Sequence, residues 1–150
     1  MPSYVIAGGG LAAAKAAETL RDEGFDSDIV LLAAEPERPY ERPPLSKGYL
    51  LGNDSRDSVY VHPADWYAGH GVDLREGVTV TAIDRGASVV ATSGPAGDGD
   101  LSYDKLLLAT GASPRRLDFP GSDREEVLYL RTLGDCDRLR SAFQRAPGSW

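Results

Sequence analysis

The run from Tyr4 to Glu35, YVIAGGGLAAAKAAETLRDEGFDSDIVLLAAE, constrains the fold more than any other part of this 150-residue chain. Tyr4 to Ala7 are apolar over the length of one short strand, and three glycines follow at once. Beyond them Leu11, Ala14, Ala17 and Leu20 recur at helical spacing, and Gly24 is placed to stop the helix. SDIVLLAAE then reads as a second, buried strand that ends on an acid. A strand, a glycine turn, a helix and a strand in that order make a βαβ unit.

The turn carries a pattern with a physical use. Gly8-x-Gly10-x-x-Ala13 fits the dinucleotide fingerprint: Gly8 permits the tight turn, Gly10 lets backbone approach a pyrophosphate without a Cβ, and Ala13 keeps helix and strand close. The helix N-terminus then faces the phosphates with unpaired N–H groups and a partial positive charge. Glu35, 25 positions after Gly10, stands where a carboxylate accepts hydrogen bonds from an adenosine ribose and repels a 2′-phosphate. These features alone leave NAD and FAD both open.

Composition bounds the rest. At 41% hydrophobic residues a packed core is attainable, and a net charge of −7 argues against a generic nucleic-acid or anionic-membrane surface. The start MPSYVIAGGG lacks the basic region of a secretory signal, and no apolar run approaches the ~18 residues of a membrane span. A soluble cytoplasmic protein is expected. The single cysteine, Cys136, forms no internal disulfide and offers no CxxC for zinc, so no metal site is expected; it is read as a half-buried helix residue.

After Glu35 the chain departs from further βα repeats. EPERPYERPPLSKGYL places Pro36, Pro39, Pro43 and Pro44 in a stiff loop without strand or helix period, and GYLLG suits a short helical turn. HPADWYAGHG opens a short helix after Pro63, ended by Gly69 or Gly71, with His62 and His70 read as surface or capping residues. VDLREGVTVTAIDRGASVVATS alternates over two or three strands, GPAGDGD (94–100) is turn chemistry, and Leu106 to Ala109 returns to the main sheet. A final strand is predicted at Val127 to Leu130 and a helix from about Gly134, opened by a capping box of Thr132 and Asp135. The fold class predicted is α/β: a Rossmann-like domain with a parallel sheet and a small inserted antiparallel β-meander.

VIAGGGLAAAKAAETLR, EPERPYERPPLSKGYL, REGVTVTAID, LLLATGASPRRL and LRTLGDCDRL follow one another with the order and spacing of a known family. The chain resembles the FAD-dependent, NAD(P)H-linked ferredoxin reductases that serve cytochrome P450 and ring-hydroxylating dioxygenases, within the pyridine nucleotide-disulfide oxidoreductase superfamily. The resemblance implies FAD as cofactor, NAD(P)H as co-substrate and a 2Fe-2S ferredoxin as partner. It places Gly8, Gly10, Ala12 and Ala13 at the pyrophosphate, Glu35 at the ribose (the family also uses the preceding position, here Ala34), and Arg42 and Lys47 beside the cofactor. Val80 meets the adenine by its main chain, Ala109-Thr110-Gly111 packs close to the cofactor, and Arg131 approaches the phosphates. Lys47 is the candidate catalytic residue, because an ammonium fixed beside a flavin stabilises negative charge arriving with a hydride.

The family pattern continues into a second glycine fingerprint for NAD(P)H, which this sequence does not reach. Residues 1–143 are therefore expected to be the N-terminal part of an FAD-binding domain, an incomplete form of the two-dinucleotide-domain fold, and 144–150 the start of a linker. Weak flavin binding and no NADH-driven turnover are expected of these 150 residues alone. With no cysteine before Cys136, a thiol-based peroxide or disulfide reduction is disfavoured, and Ser46 is read as a turn hydroxyl. A non-catalytic flavin- or nucleotide-binding remnant and an apoptosis-inducing-factor-like flavoprotein are the alternatives.

Overall fold

A computed structural model describes residues 3–145 and divides the chain into two compact units, Met1–Tyr40 with Tyr60–Gly111, and Glu41–Val59 with Ala112–Trp150. The expected linker 144–150 falls partly outside the described residues; the last helix runs through Arg145.

In the first unit a parallel sheet forms from β1 (Ser3–Ala7), β2 (Asp28–Ala33), β3 (Val72–Glu76) and β7 (Lys105–Leu108), in the order β3-β2-β1-β7. Burial on both faces explains the unbroken apolar runs of β1 and β2. Ile6, Ile29, Leu31 and Ala33 pack on one face against Ala13 and Ala17 of helix α1 (Leu11–Asp22) and Tyr67 of helix α3 (Ala64–Gly69). Val5, Val30 and Leu32 face the other way and meet Val90, with Val78, Val80 and Leu101 around them. That second layer is an antiparallel sheet of β4 (Thr79–Asp84), β5 (Val89–Gly94) and β6 (Gly97–Ser102). Each fully buried Val, Leu or Ile adds roughly 1.5–3 kcal/mol of apolar transfer energy, so the central sheet is stabilised from both sides.

In the first unit two strand assignments differ from those read in the sequence. Val72–Glu76 pairs in parallel with β2 and belongs to the main sheet, because an alternating strand carries no mark of which neighbour it will take. Within the stretch 94–100 only Pro95 and Ala96 turn; Gly94 ends β5, and Gly97 onward is strand, paired residue by residue with β5 although its side chains are mostly exposed.

The second unit contains a 3₁₀ turn at Pro43–Ser46, the four-residue helix α2 (Gly48–Leu51) and helix α4 (Leu133–Arg145). The strand expected at Val127 to Leu130 is absent among the described residues: the segment has no helix or strand and joins no ladder. Thr132 and Asp135 do form the capping box. The Asp135 amide donates to Thr132 Oγ1 (3.1 Å), and the Thr132 amide donates back to Asp135 Oδ2 (2.8 Å). Burial opposes ionisation of Asp135, but the bonds from Thr132 and Arg131 outweigh it and hold the carboxyl below the usual aspartate range.

Candidate functional site

Three consecutive glycines join β1 to α1, and each is required, or not, for a different reason. Gly8 has φ of +140°, and a Cβ there would stand 2.0 Å from the Ala109 carbonyl oxygen. Gly9, which the fingerprint leaves unspecified, would place a Cβ 2.5 Å from that of Ala33. Gly10 is different: its backbone is extended (φ −98°), and a Cβ would meet nothing within 4 Å. Neither strain nor packing within the protein asks for glycine at position 10. The missing Cβ leaves the turn open to close approach from outside the chain.

Gly10 is also the N-cap of α1, and no side chain caps the helix there. The amides of the first turn have no intrahelical carbonyl to meet, and the partial positive charge of the helix end stands with them. Ala12 is exposed on this turn, while Ala13 is fully buried against the sheet, as its role in close packing requires. The Ala109 amide donates to the Ala7 carbonyl (2.8 Å), which brings the end of β7 against Gly8; Thr110 and Gly111 follow, exposed.

Glu35 lies just past β2, half-buried, and its Oε2 accepts a 2.5 Å hydrogen bond from the Tyr40 hydroxyl. Tyr40 is 2% exposed, and its main chain forms a parallel bridge with Gly10 and an antiparallel one with Tyr60. Sequence reasoning missed Tyr40. The only available signal was an aromatic residue directly after a proline in an otherwise polar loop. Val80 turns its side chain into the layer between the two sheets, and the pairing of β4 with β5 slips at a bulge between Val80 and Ala82.

The other expected site residues lie in the second unit. The Arg42 guanidinium donates to the main-chain carbonyl of Arg131, and both line a pocket of about 110 Å³ with Leu45, Ser46 and Leu130. Arg131 Nε is buried there without a hydrogen-bond partner among the described residues. Lys47 stands between the 3₁₀ turn and α2, its amide bonded to the Pro44 carbonyl (3.0 Å) and its carbonyl taking the Leu51 amide (3.0 Å). Its backbone is thus held from both sides, while the side chain is exposed and its ammonium makes no hydrogen bond or ion pair with the described residues.

A side-chain network steadies this loop. The Tyr49 hydroxyl donates to Asp137 Oδ1 (2.7 Å), Arg56 donates to Asp137 Oδ2 (2.8 Å), and Arg140 lies over the Tyr49 ring at 4.9 Å. Burial opposes ionisation of Asp137, and the Tyr49 and Arg56 contacts reverse that effect, leaving the carboxyl below its ordinary range. Cys136 is fully buried rather than half-buried, with Sγ donating to the Leu45 carbonyl (3.2 Å). Burial pushes its thiol up, away from the thiolate that redox chemistry needs. Ser46 makes the expected local turn contact with the Pro43 carbonyl (3.4 Å).

His62 is not a surface residue. It is 9% exposed, stacks on Trp66 at 3.9 Å, and faces Glu18 Oε2 at 3.5 Å. Desolvation depresses its pKa against the pull of Glu18, so the fold favours the neutral ring. His70 is exposed, as expected. Among the described residues no group of His, Cys, Asp and Glu is placed to hold a metal ion, and no helix is long and apolar enough to cross a membrane.

Comparison with known proteins agrees with this geometry. Residues 2–146 match the family model described as pyridine nucleotide-disulphide oxidoreductase. Rhodocoxin reductase of Rhodococcus erythropolis is 42% identical over 141 residues, covering 94% of this chain and 32% of that protein. The ferredoxin--NAD(+) reductase component of 3-phenylpropionate/cinnamic acid dioxygenase from Photorhabdus laumondii is 43% identical over 145 residues, 95% of this chain and 35% of that one. Among solved structures, the covalent putidaredoxin reductase–putidaredoxin complex superposes with a TM-score of 0.84 at 37% identity, over 94% of this chain and 34% of the matched one. The chain spans about a third of the length of these relatives. With the parallel sheet, the glycine turn and a family match over nearly every residue, the chain belongs to the pyridine nucleotide-disulphide oxidoreductase family.

Proposed function

We propose that this chain is the FAD-binding portion of an NAD(P)H:ferredoxin oxidoreductase, with residues 1–143 forming the N-terminal part of its FAD domain. The observation that carries the reading is Gly10, a glycine that neither strain nor packing requires, at the head of an uncapped helix. The names of the relatives support the choice of partner, a ferredoxin that serves a P450 or a dioxygenase. A cytoplasmic location is part of the same proposal.

The residues present fit an anionic dinucleotide. The first turn of α1, with Gly8, Gly10, Ala12 and Ala13, takes the pyrophosphate on backbone amides, and Glu35 takes the ribose hydroxyls. Val80 contributes its main chain to the adenine, and Ala109, Thr110 and Gly111 close against the cofactor. Arg42 and Arg131 supply positive charge, and the orphaned Nε of Arg131 is a buried donor awaiting an acceptor. When bound, FAD supplies hydride acceptance from NAD(P)H and release of electrons singly to the ferredoxin. Lys47, on a backbone held at both ends, presents an ammonium that stabilises negative charge developing beside it.

The test is protein expressed from its full reading frame. It is expected to retain FAD through gel filtration, and Lys47→Gln is expected to keep the flavin while making its reduction potential more negative. Purification without flavin, together with failure of added FAD or ADP to bind, would refute the proposal.

A further inference from the structure

The geometry points to Tyr40 as a positioning and specificity-determining residue for the ribose of the bound nucleotide. This rests on the nucleotide reading of the site given above. The hydroxyl of Tyr40 donates to Glu35 Oε2 at 2.5 Å, and the direction is fixed because only the phenol carries a proton to give. The phenol fixes the position of one carboxylate oxygen, and a carboxylate accepts at about four positions in all.

Tyr40 is itself held from every side. Pro39 precedes it, fully buried and with φ fixed by its ring, and the Pro39 carbonyl takes the Val61 amide at 3.0 Å. The Tyr40 main chain bridges Gly10 on one side and Tyr60 on the other, and its ring is buried. Glu35 is anchored separately through its main chain, whose carbonyl accepts the Gly77 amide at 3.0 Å. One residue therefore ties the phosphate-facing glycine, through its backbone, to the ribose-facing carboxylate, through its side chain. Ribose hydroxyls meet an acceptor already oriented, and less side-chain freedom is lost on binding.

The experiment compares ADP with 2′,3′-dideoxy-ADP by calorimetry on protein from the full reading frame, before and after Tyr40→Phe. Removing the hydroxyl is expected to weaken ADP about five- to tenfold, the size of the side-chain freedom that Glu35 would then lose on binding, and to leave dideoxy-ADP within about twofold. In a Glu35→Gln background, Tyr40→Phe should then have little further effect on ADP. Equal losses for both ligands, or no loss for ADP, would overturn the inference. So would collapse of the folded protein on removal of this one oxygen, since the hydroxyl would then be a structural group. Failure of the unmodified protein to bind ADP at all is a separate result, and it would overturn the nucleotide reading from which the inference starts.

Discussion

The two compact units hold their candidate residues by opposite means. In the first, backbone does the positioning: parallel ladders on both sides of β1, two glycines that allow contact closer than any side chain permits, and alanines where helix meets sheet. In the second, ordered sheet is absent among the described residues, and side chains do it: Tyr49 and Arg56 on Asp137, Arg42 on the Arg131 carbonyl, Cys136 on the Leu45 carbonyl. Backbone placement tolerates almost no added atom. Side-chain placement tolerates change but depends on protonation and on single bonds.

That contrast is breakable by substitution. The largest effect is expected from Gly8→Ala, which combines a φ of +140° with a Cβ 2.0 Å from a carbonyl oxygen. A loss of at least about 3 kcal/mol is expected, read as an early midpoint in urea unfolding. A near-normal midpoint would show that the turn yields and that backbone is not what fixes the first unit.

Next in size is Asp137→Asn. It removes the charge that draws Tyr49 and Arg56 together, at a partly exposed site, for an expected loss of about 1–2 kcal/mol. Faster amide exchange confined to α2 and α4 is the sharper readout, and a double-mutant cycle with Tyr49→Phe should show coupling.

Acid should weaken the units in sequence. Buried His62, facing Glu18 with Lys15 and His70 near, has a depressed pKa in the fold. The unfolded chain therefore gains protons first, and the first unit loses stability as pH falls below about 6.5. Asp135 and Asp137 are also depressed, so their contribution persists above about pH 4 and is lost only as pH falls through their lower folded values. Exchange rates for both units followed across pH 3–8 test the order; a single shared acid transition would contradict it.

The smallest effect on stability is expected from Gly10→Ala, within about 1 kcal/mol of no change, because the backbone is ordinary and the space is open. ADP affinity should nevertheless fall on the order of tenfold. Substitutions two positions apart, at Gly8 and Gly10, would then separate folding from binding within one turn.

How much of this was legible in the sequence follows the same division. The βαβ unit declared itself through periodicity, and the Thr132–Asp135 cap through a spacing of three, because both are local rules. The role of Gly9 was hidden, since its constraint is the Cβ of Ala33, a neighbour only after β2 has paired. Strand β6 was hidden for another reason: GDGDLS has neither apolar alternation nor β-branched residues, and only the ladder from β5 makes it a strand. His62 was misread because its burial comes from stacking on Trp66 and from a helix forty-odd positions away. The Tyr49–Asp137 bond joins residues 88 apart, and no short pattern encodes such a pair.

Strand β7 has a neighbour on one side only among the described residues, and it shows Leu107 and Leu108 to solvent beside a cleft of about 570 Å³ against α1. Its outer row of amides and carbonyls is a template for any extended peptide at hand. Handled at high concentration as these 150 residues, the chain is therefore a candidate for strand-by-strand self-association. A lysine in place of Leu108, pointing charge along that rim, is the simplest way to keep the molecules apart in solution.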